Sequence, residues 1–200
     1  MKHFIQQSTL IVQGTFYAGL AVCLFMMAKG EAAHAQGMRS ELKVVDHVDL
    51  SRYLGKWYEI ARIPVFFQSG CAGGVTATYT LLAEGTVRVL NQCCADDGQK
   101  KQAKGRAWVV DKKTNAKLKV SFVPILSKLF AGDYWIIDLG PNYEYAVVGH
   151  PSRDIGWILS RTPTLPDDIM KGIAERLKAN GYDFSRFKIT DHKNFTSCSE

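Results

Sequence analysis

Between Gly55 and Arg161 the chain repeats one pattern: short runs of alternating apolar and polar side chains, broken by turns rich in Gly, Asp and Asn. Val75-Thr76-Ala77-Thr78-Tyr79-Thr80-Leu81 is the plainest run, with a hydroxyl between each pair of apolar positions. A period of two puts successive side chains on opposite faces, so each run reads as a strand with one face in a core. Residues 87–93, 102–110, 116–123, 134–139, 143–149 and 156–161 repeat the pattern. With the strand that begins at Gly55, eight strands are predicted. Their short connections make neighbours antiparallel, and eight strands close without leaving an unpaired edge. The predicted fold is all-β, an eight-stranded antiparallel up-and-down barrel.

The same parity sorts the contents of that barrel. Val75, Ala77, Tyr79 and Leu81 are expected inside, with the threonines of that strand facing water. Val87, Val89 and Asn91 point in, leaving Arg88, Leu90 and Gln92 outside. Leu118, Val120 and Phe122 point in, with Lys117, Lys119 and Ser121 out, and Trp157 and Leu159 share the parity of Arg161. The inward set is apolar and aromatic, with Asn91 and the phenol of Tyr79 as its few polar handles. A barrel of this size either fills with side chains or keeps room for one small ligand. Such a wall suits a hydrophobic ligand, though the same residues would also serve as plain core.

One segment follows a longer period. Ile169, Ile173 and Leu177 recur every four residues, with Met170 and Ala174 beside them, forming a single apolar stripe. Pro166 suits the start, Asp167 and Asp168 complement the positive end of the helix dipole, and Asn180-Gly181 suits the stop. A C-terminal α-helix packed outside the barrel is predicted, followed by a short strand within residues 185–191.

The run Leu54-Gly55-Lys56-Trp57-Tyr58-Glu59 opens the first strand, and Trp157-Ile158-Leu159-Ser160-Arg161 closes the last. Glycine permits a tight approach to the strand, and the indole is a plate large enough to cover a barrel floor. Arg161 can lie across that plate as a cation–π lid while its donors reach carbonyls. Gly55, Trp57 and Arg161 are therefore the expected structural floor.

Composition adds compartment. Lys2 followed by the uncharged apolar stretch 16–28 and by Ala33-His34-Ala35 forms a leader, so residues 1–35 read as a signal peptide and 36–200 as the mature domain. The apolar stretch is shorter than the roughly 20 residues a bilayer span requires. Lipidation at Cys23 is the competing reading; bulky Val22 before it, and Leu24-Phe25-Met26-Met27 left exposed after it, speak against it. Cleavage after Ala35 removes Lys2, Lys29 and Glu31 and takes the formal net charge from +6 to +5. The positives are scattered, with pairs Lys100-Lys101 and Lys112-Lys113 at turns, which argues against a nucleic-acid stripe and is compatible with a membrane surface.

Four cysteines remain: Cys71, Cys93, Cys94 and Cys198. An even count in an exported chain favours disulfides, whereas the cysteines and His47, His150 and His192 lack metal-ligand spacing. Adjacent strand residues point to opposite faces, which rejects a Cys93–Cys94 bridge and leaves two complete arrangements. If residues summing to about 169 oppose each other across the turn near Gly85, Thr76 meets Cys93, and Cys71 folds back to it past Ala72-Gly73-Gly74. That favours Cys71–Cys93 with Cys94–Cys198.

Taken together, Gly55-Lys56-Trp57-Tyr58-Glu59-Ile60-Ala61, Val75-Thr76-Ala77-Thr78-Tyr79, Leu118-Lys119-Val120-Ser121-Phe122 and Trp157-Ile158-Leu159-Ser160-Arg161-Thr162-Pro163 resemble the lipocalin family, in its bacterial outer-membrane and apolipoprotein D-like branch. The likeness runs from about Val44 to Asp191. The family's turn motif stands here only as Pro141-Asn142-Tyr143. The resemblance implies a calyx that binds fatty acids, lysophospholipids or similar amphiphiles, with Tyr79, Asn91, Phe122, Trp157 and Leu159 in the wall. It also implies another bridge, Cys71–Cys198, with the adjacent pair unbridged.

The expected function is binding and transport or storage of such a ligand in the cell envelope, without cofactor or catalysis. Ala77, Tyr79, Val89, Asn91, Val120, Phe122, Trp157 and Leu159 are the expected ligand-binding residues. The protein is expected to be exported, either periplasmic, associated with the outer membrane, or secreted. A lipocalin-fold enzyme is the alternative, with Cys93 as an inward thiol; a haem or pigment carrier using His150 is a third. Asn194-Phe195-Thr196 fits a glycosylation acceptor, or a plain polar tail.

Overall fold

The period-two runs form strands wherever their apolar face finds a common interior. A computed structural model describes residues 40–82, 85–123, 128–195 and 198, and Leu42–Glu200 form one unit. The expected leader, with Cys23 and the expected cleavage site, lies outside the described residues. A helical turn, α1 (Leu50–Tyr53), precedes β1 (Gly55–Arg62). β2 (Gly73–Leu81), β3 (Val87–Cys94), β4 (Lys100–Val109), β5 (Lys117–Ser121), β6 (Gly132–Leu139), β7 (Tyr145–Gly149) and β8 (Gly156–Ser160) follow. Each pairs antiparallel with the next, and β1 pairs with both β8 and β2, which closes the barrel. α2 (Asp167–Ala179) and a two-residue strand, β9 (Lys188–Ile189), complete the chain.

Two apolar cores result. Inside lie Trp57, Tyr79, Val87, Val89, Leu118, Ile136, Val148 and Leu159. Outside, Ile173 and Leu177 of α2 pack onto Ile60, Ile137, Tyr145, Val147 and Ile158, the outward residues of four neighbouring strands. The helix starts at Pro166 with two aspartates in its first turn, and Gly181 takes φ +79° just past its end, a conformation suited to glycine.

β9 was anticipated as a longer strand; residues 184–186 instead form a 3₁₀ turn. Its two residues pair with Ala61 and Arg62 at the far end of β1, while Asp191 bridges to Gly73 of β2. The tail thus fills the gap where β1 and β2 diverge.

Three details of the sequence reading need correction. The β2–β3 register sums to 168: Thr76 opposes Gln92, and Ala77 opposes Asn91. Opposed residues share a face, and the inward residues of β2 and β3 are both odd-numbered, so in this hairpin the sum must be even. Leu81 does not enter the barrel; it lies past the floor at the closed end and is exposed. Thr76 and Ser121, expected to face water, are buried; Thr76 borders a groove shared with His192 and Phe195 of the tail.

Candidate functional site: a calyx with a sealed floor

The floor assembles around β1. Gly55 takes φ +91°, which turns the chain from α1 into the strand. Two residues on, Trp57 is fully buried and its indole N–H donates to the Tyr53 carbonyl at 2.8 Å. The Arg161 guanidinium stacks 3.7 Å from the indole centroid. It donates to the carbonyls of Lys56 (2.9 Å), Arg52 (2.6 Å) and Tyr143 (3.3 Å). One side chain thereby ties β1, α1 and the β6–β7 turn together. Tyr143, left-handed at φ 62°, accepts from the Asp49 N–H through its hydroxyl at 2.8 Å and carries Arg52 over its ring at 4.1 Å.

Above the floor lies a cavity of about 860 Å³, within the range of small-molecule sites. The structure places Ala77, Tyr79, Val89, Asn91, Val120, Phe122, Trp157 and Leu159 all on its lining. Phe122 stands just past the end of β5, at the rim. Asn91 turns its Oδ1 into buried space with no hydrogen-bond partner, an acceptor available to a ligand donor.

Sequence reasoning missed two polar features. The first is a phenol cluster: Tyr134 hydroxyl bonds to Tyr53 (2.8 Å) and Tyr79 (2.9 Å). Burial pushes all three upward, Tyr79 to about 12 and Tyr53 and Tyr134 well above the ordinary phenol value. Their unfolded values lie near 10, so between about pH 10 and pH 12 the unfolded chain loses protons that the native cluster keeps. Stability is then full below pH 10 and falls as pH rises through that window. Absorbance titration of phenolate should show a late step of these tyrosines coincident with unfolding; normal titration of Tyr53, Tyr79 and Tyr134 in a still-folded protein would contradict the cluster.

The second is a network at the mouth. Glu59 is buried and accepts from Arg62 Nη1 (2.7 Å), Thr190 Oγ1 (2.7 Å) and Gln68 Nε2 (2.9 Å). Gln68 Oε1 in turn accepts from the Trp157 indole at 3.0 Å. The parity of Trp57 extends to Glu59, and a carboxylate in that position must be either solvated or paired; this was the one available signal. Gln68 ends a 3₁₀ turn (Phe66–Gln68) in the β1–β2 connection, so the network pins that loop over the cavity.

The cysteines pair as Cys71–Cys93 and Cys94–Cys198, not as Cys71–Cys198. Cys93 therefore offers no thiolate, and the thiol-enzyme alternative loses its nucleophile. His150 lines the mouth with Nδ1 2.9 Å from Ser152 Oγ and Nε2 3.9 Å from Asp133. Among the described residues no group of three or more His, Cys, Asp or Glu could hold a metal.

A closed antiparallel barrel of eight strands, stoppered by Trp and Arg at one end and hollow above, defines a calyx-type binding protein. Residues 48–192 match a family model described as a lipocalin-like domain. Temperature-induced lipocalin-1 of Arabidopsis thaliana is 39% identical over 158 residues, covering 76% of this chain and 83% of that protein. Outer membrane lipoprotein Blc of Escherichia coli K12 is 41% identical, covering 72% and 79%, and mouse apolipoprotein D is 35% identical, covering 86% and 90%. Insecticyanin from the tobacco hornworm Manduca sexta superposes with a TM-score of 0.64 at 21% identity over 82% of this chain and 90% of its own, a likeness of fold. The chain belongs to the lipocalin family.

Proposed function

We propose that this lipocalin binds and carries a single-chain amphiphile, a long-chain fatty acid or lysophospholipid, within the calyx. The observation that carries this reading is the hollow above the floor: about 860 Å³, walled mainly by apolar side chains. Moving each methylene of an acyl chain from water into such a cavity gains about 0.8 kcal/mol, so a chain of modest length binds without many polar contacts. Gln68, Lys101 and His150 at the mouth suit a headgroup, and the acyl chain runs past Trp157, Leu159 and Val89 toward the phenols.

The two disulfides suit an oxidising compartment, and the apolar leader suits export with cleavage after Ala35. A relative named as an outer membrane lipoprotein supports placement at the cell envelope. The proposed role is binding, and Cys93, held in a disulfide, offers no nucleophile to the thiol-enzyme alternative.

Of the four tryptophans, Trp157 alone lines the cavity. Titration with a fatty acid below its micellar concentration should quench fluorescence saturably at one ligand per chain. Trp157→Phe should lose most of that signal. A linear, unsaturable response, with no ligand mass retained in native mass spectrometry, would refute the reading.

A further inference from the structure

Basic residues that lie far apart in the chain are brought onto one outer wall by the strand register. Arg88 of β3 stands directly opposite Arg106 of β4, and the next outward pair toward the open end is Leu90 with Lys104. The row through Lys104 continues across Leu90 and Thr78 to Lys56 of β1. All four cations are exposed, and none lines the calyx. Neighbouring strands lie about 4.8 Å apart and same-face neighbours about 6.8 Å, so the four backbone positions span roughly 16 Å at most.

No carboxylate on this wall answers them. Strands β2, β3, β4 and β5 contain no Asp or Glu. Among the described residues Arg88, Lys104 and Arg106 take part in no ion pair, and Lys56 rests over the Tyr58 ring at 4.6 Å. Other strand cations are paired: Arg62 with Glu59 at 2.7 Å, and Lys119 with Asp133 at 2.9 Å. Like charges at directly opposed positions destabilise a sheet. The Arg88–Arg106 pair is therefore unfavourable in the free protein, and an anion shared between the two guanidinium groups reverses its sign.

The rest of the face decides the kind of anion. Thr80 and Ser121 flank the arginine pair in its row, Thr78 lies in the row of Lys104, and Gln92 opposes Gln102 in the row after it. Outward hydroxyl and amide groups of this kind hydrogen-bond a hydroxyl-rich polymer. The two rows that hold the cations carry no aromatic ring on which a nucleobase could stack. Across the barrel, the outward residues of β1, β6, β7 and β8 are apolar and packed under α2, so the wall of β2–β4 is the polar one.

We infer that the outer wall of β2–β4 is a binding face for an anionic polysaccharide, whose sulfate, phosphate or carboxylate groups are taken by Arg88 and Arg106 and by Lys104 and Lys56. The guanidinium fork matches such groups bidentately, and the lysines act as point charges beside it. The face is separate from the calyx and does not depend on what the calyx holds. A carrier held by this wall keeps its mouth free.

The test is calorimetric titration of the chain from Gln36, which keeps the whole unit Leu42–Glu200, with heparin at about 0.15 M salt. Binding should be saturable and should weaken with added salt, and neutral dextran should not bind. Arg88→Gln with Arg106→Gln should weaken affinity roughly tenfold or more and flatten the salt dependence by about two counterions. Its melting temperature at low salt should not fall, because the repulsion is gone. Lys171→Gln with Lys178→Gln on the exposed face of α2 removes the same net charge and should leave affinity within about twofold. Should the arginine variant fold poorly, footprinting of the parent decides: heparin should slow acetylation of Lys56 and Lys104, but not of Lys171 or Lys178. No saturable binding, an equal loss in the helix variant, even protection of all lysines, or a DNA oligonucleotide binding as tightly as heparin would overturn the inference. Fatty acid titration reads the calyx separately, and the arginine variant should bind fatty acid as the parent does.

Discussion

Trp57→Ala should lower the unfolding free energy by about 3–5 kcal/mol, the range for truncating a fully buried large aromatic. The indole is buried, stacked against Arg161 and hydrogen-bonded to Tyr53. Its removal leaves a cavity that the closed end cannot collapse, because β1 is held on both sides by β8 and β2. Arg161→Ala acts on the same assembly from the solvent side and should cost about 2–4 kcal/mol, through three lost carbonyl contacts and the uncovered ring. Arg161→Lys keeps the charge but not the planar fork that reaches Lys56, Arg52 and Tyr143 together, so it should recover only part of the loss. The two truncations should be strongly sub-additive, since each removes the other's partner. Denaturant unfolding of the four proteins is the measurement. Trp57→Ala melting with the parent, or full additivity, would show that the floor is not one unit. Fatty acid affinity of the folded variants should change little, because Trp57 and Arg161 lie below the cavity.

How far the fold could be read depended on how local its cause was. The strands and their inward residues follow from period-two alternation, which Val75 to Leu81 displays in full and which barrel closure cannot reverse without exposing a whole face. Leu81 departs because alternation says which way a side chain points, not where the barrel ends. The hairpin register differs by one from the expected sum, although parity carries the answer: Ala77 and Asn91 both face inward and both are odd-numbered, so the sum must be even. The disulfide pairing tolerated that error, because a flexible Ala72-Gly73-Gly74 link reaches Cys93 from either register. The phenol cluster and the Glu59 network had no comparable signal. Tyr53, Tyr79 and Tyr134 come from three elements far apart in sequence; Glu59 meets Arg62 and Gln68 nearby but Thr190 far away. β9 is the extreme case. Two residues carry no period, and their place is set by the gap between β1 and β2.

That gap makes the two disulfides unequal. Constraining the unfolded chain should contribute about 3 kcal/mol for Cys71–Cys93, separated by 22 residues, and about 5 kcal/mol for Cys94–Cys198, separated by 104. Structure sharpens the contrast. Cys94 opposes Gly73 in the β2–β3 ladder, and beside it Gly74 N–H donates to the Asp191 carbonyl at 2.8 Å. Thr190 and His192 reach the Glu59 carboxylate and carbonyl at 2.7 and 2.8 Å. Cys94–Cys198 is therefore the covalent end of a seam that keeps β1 and β2 from parting near the mouth. Cys94→Ala with Cys198→Ala should lower the melting temperature by roughly 10 °C or more and speed amide exchange in β9 and in residues 58–62 of β1. Cys71→Ala with Cys93→Ala should cost less globally and act locally, freeing residues 63–72 while β9 stays protected. Differential scanning calorimetry with hydrogen exchange distinguishes the two pairs. A Cys94, Cys198 variant that melts with the parent and keeps β9 protected would mean that hydrogen bonds alone close the seam.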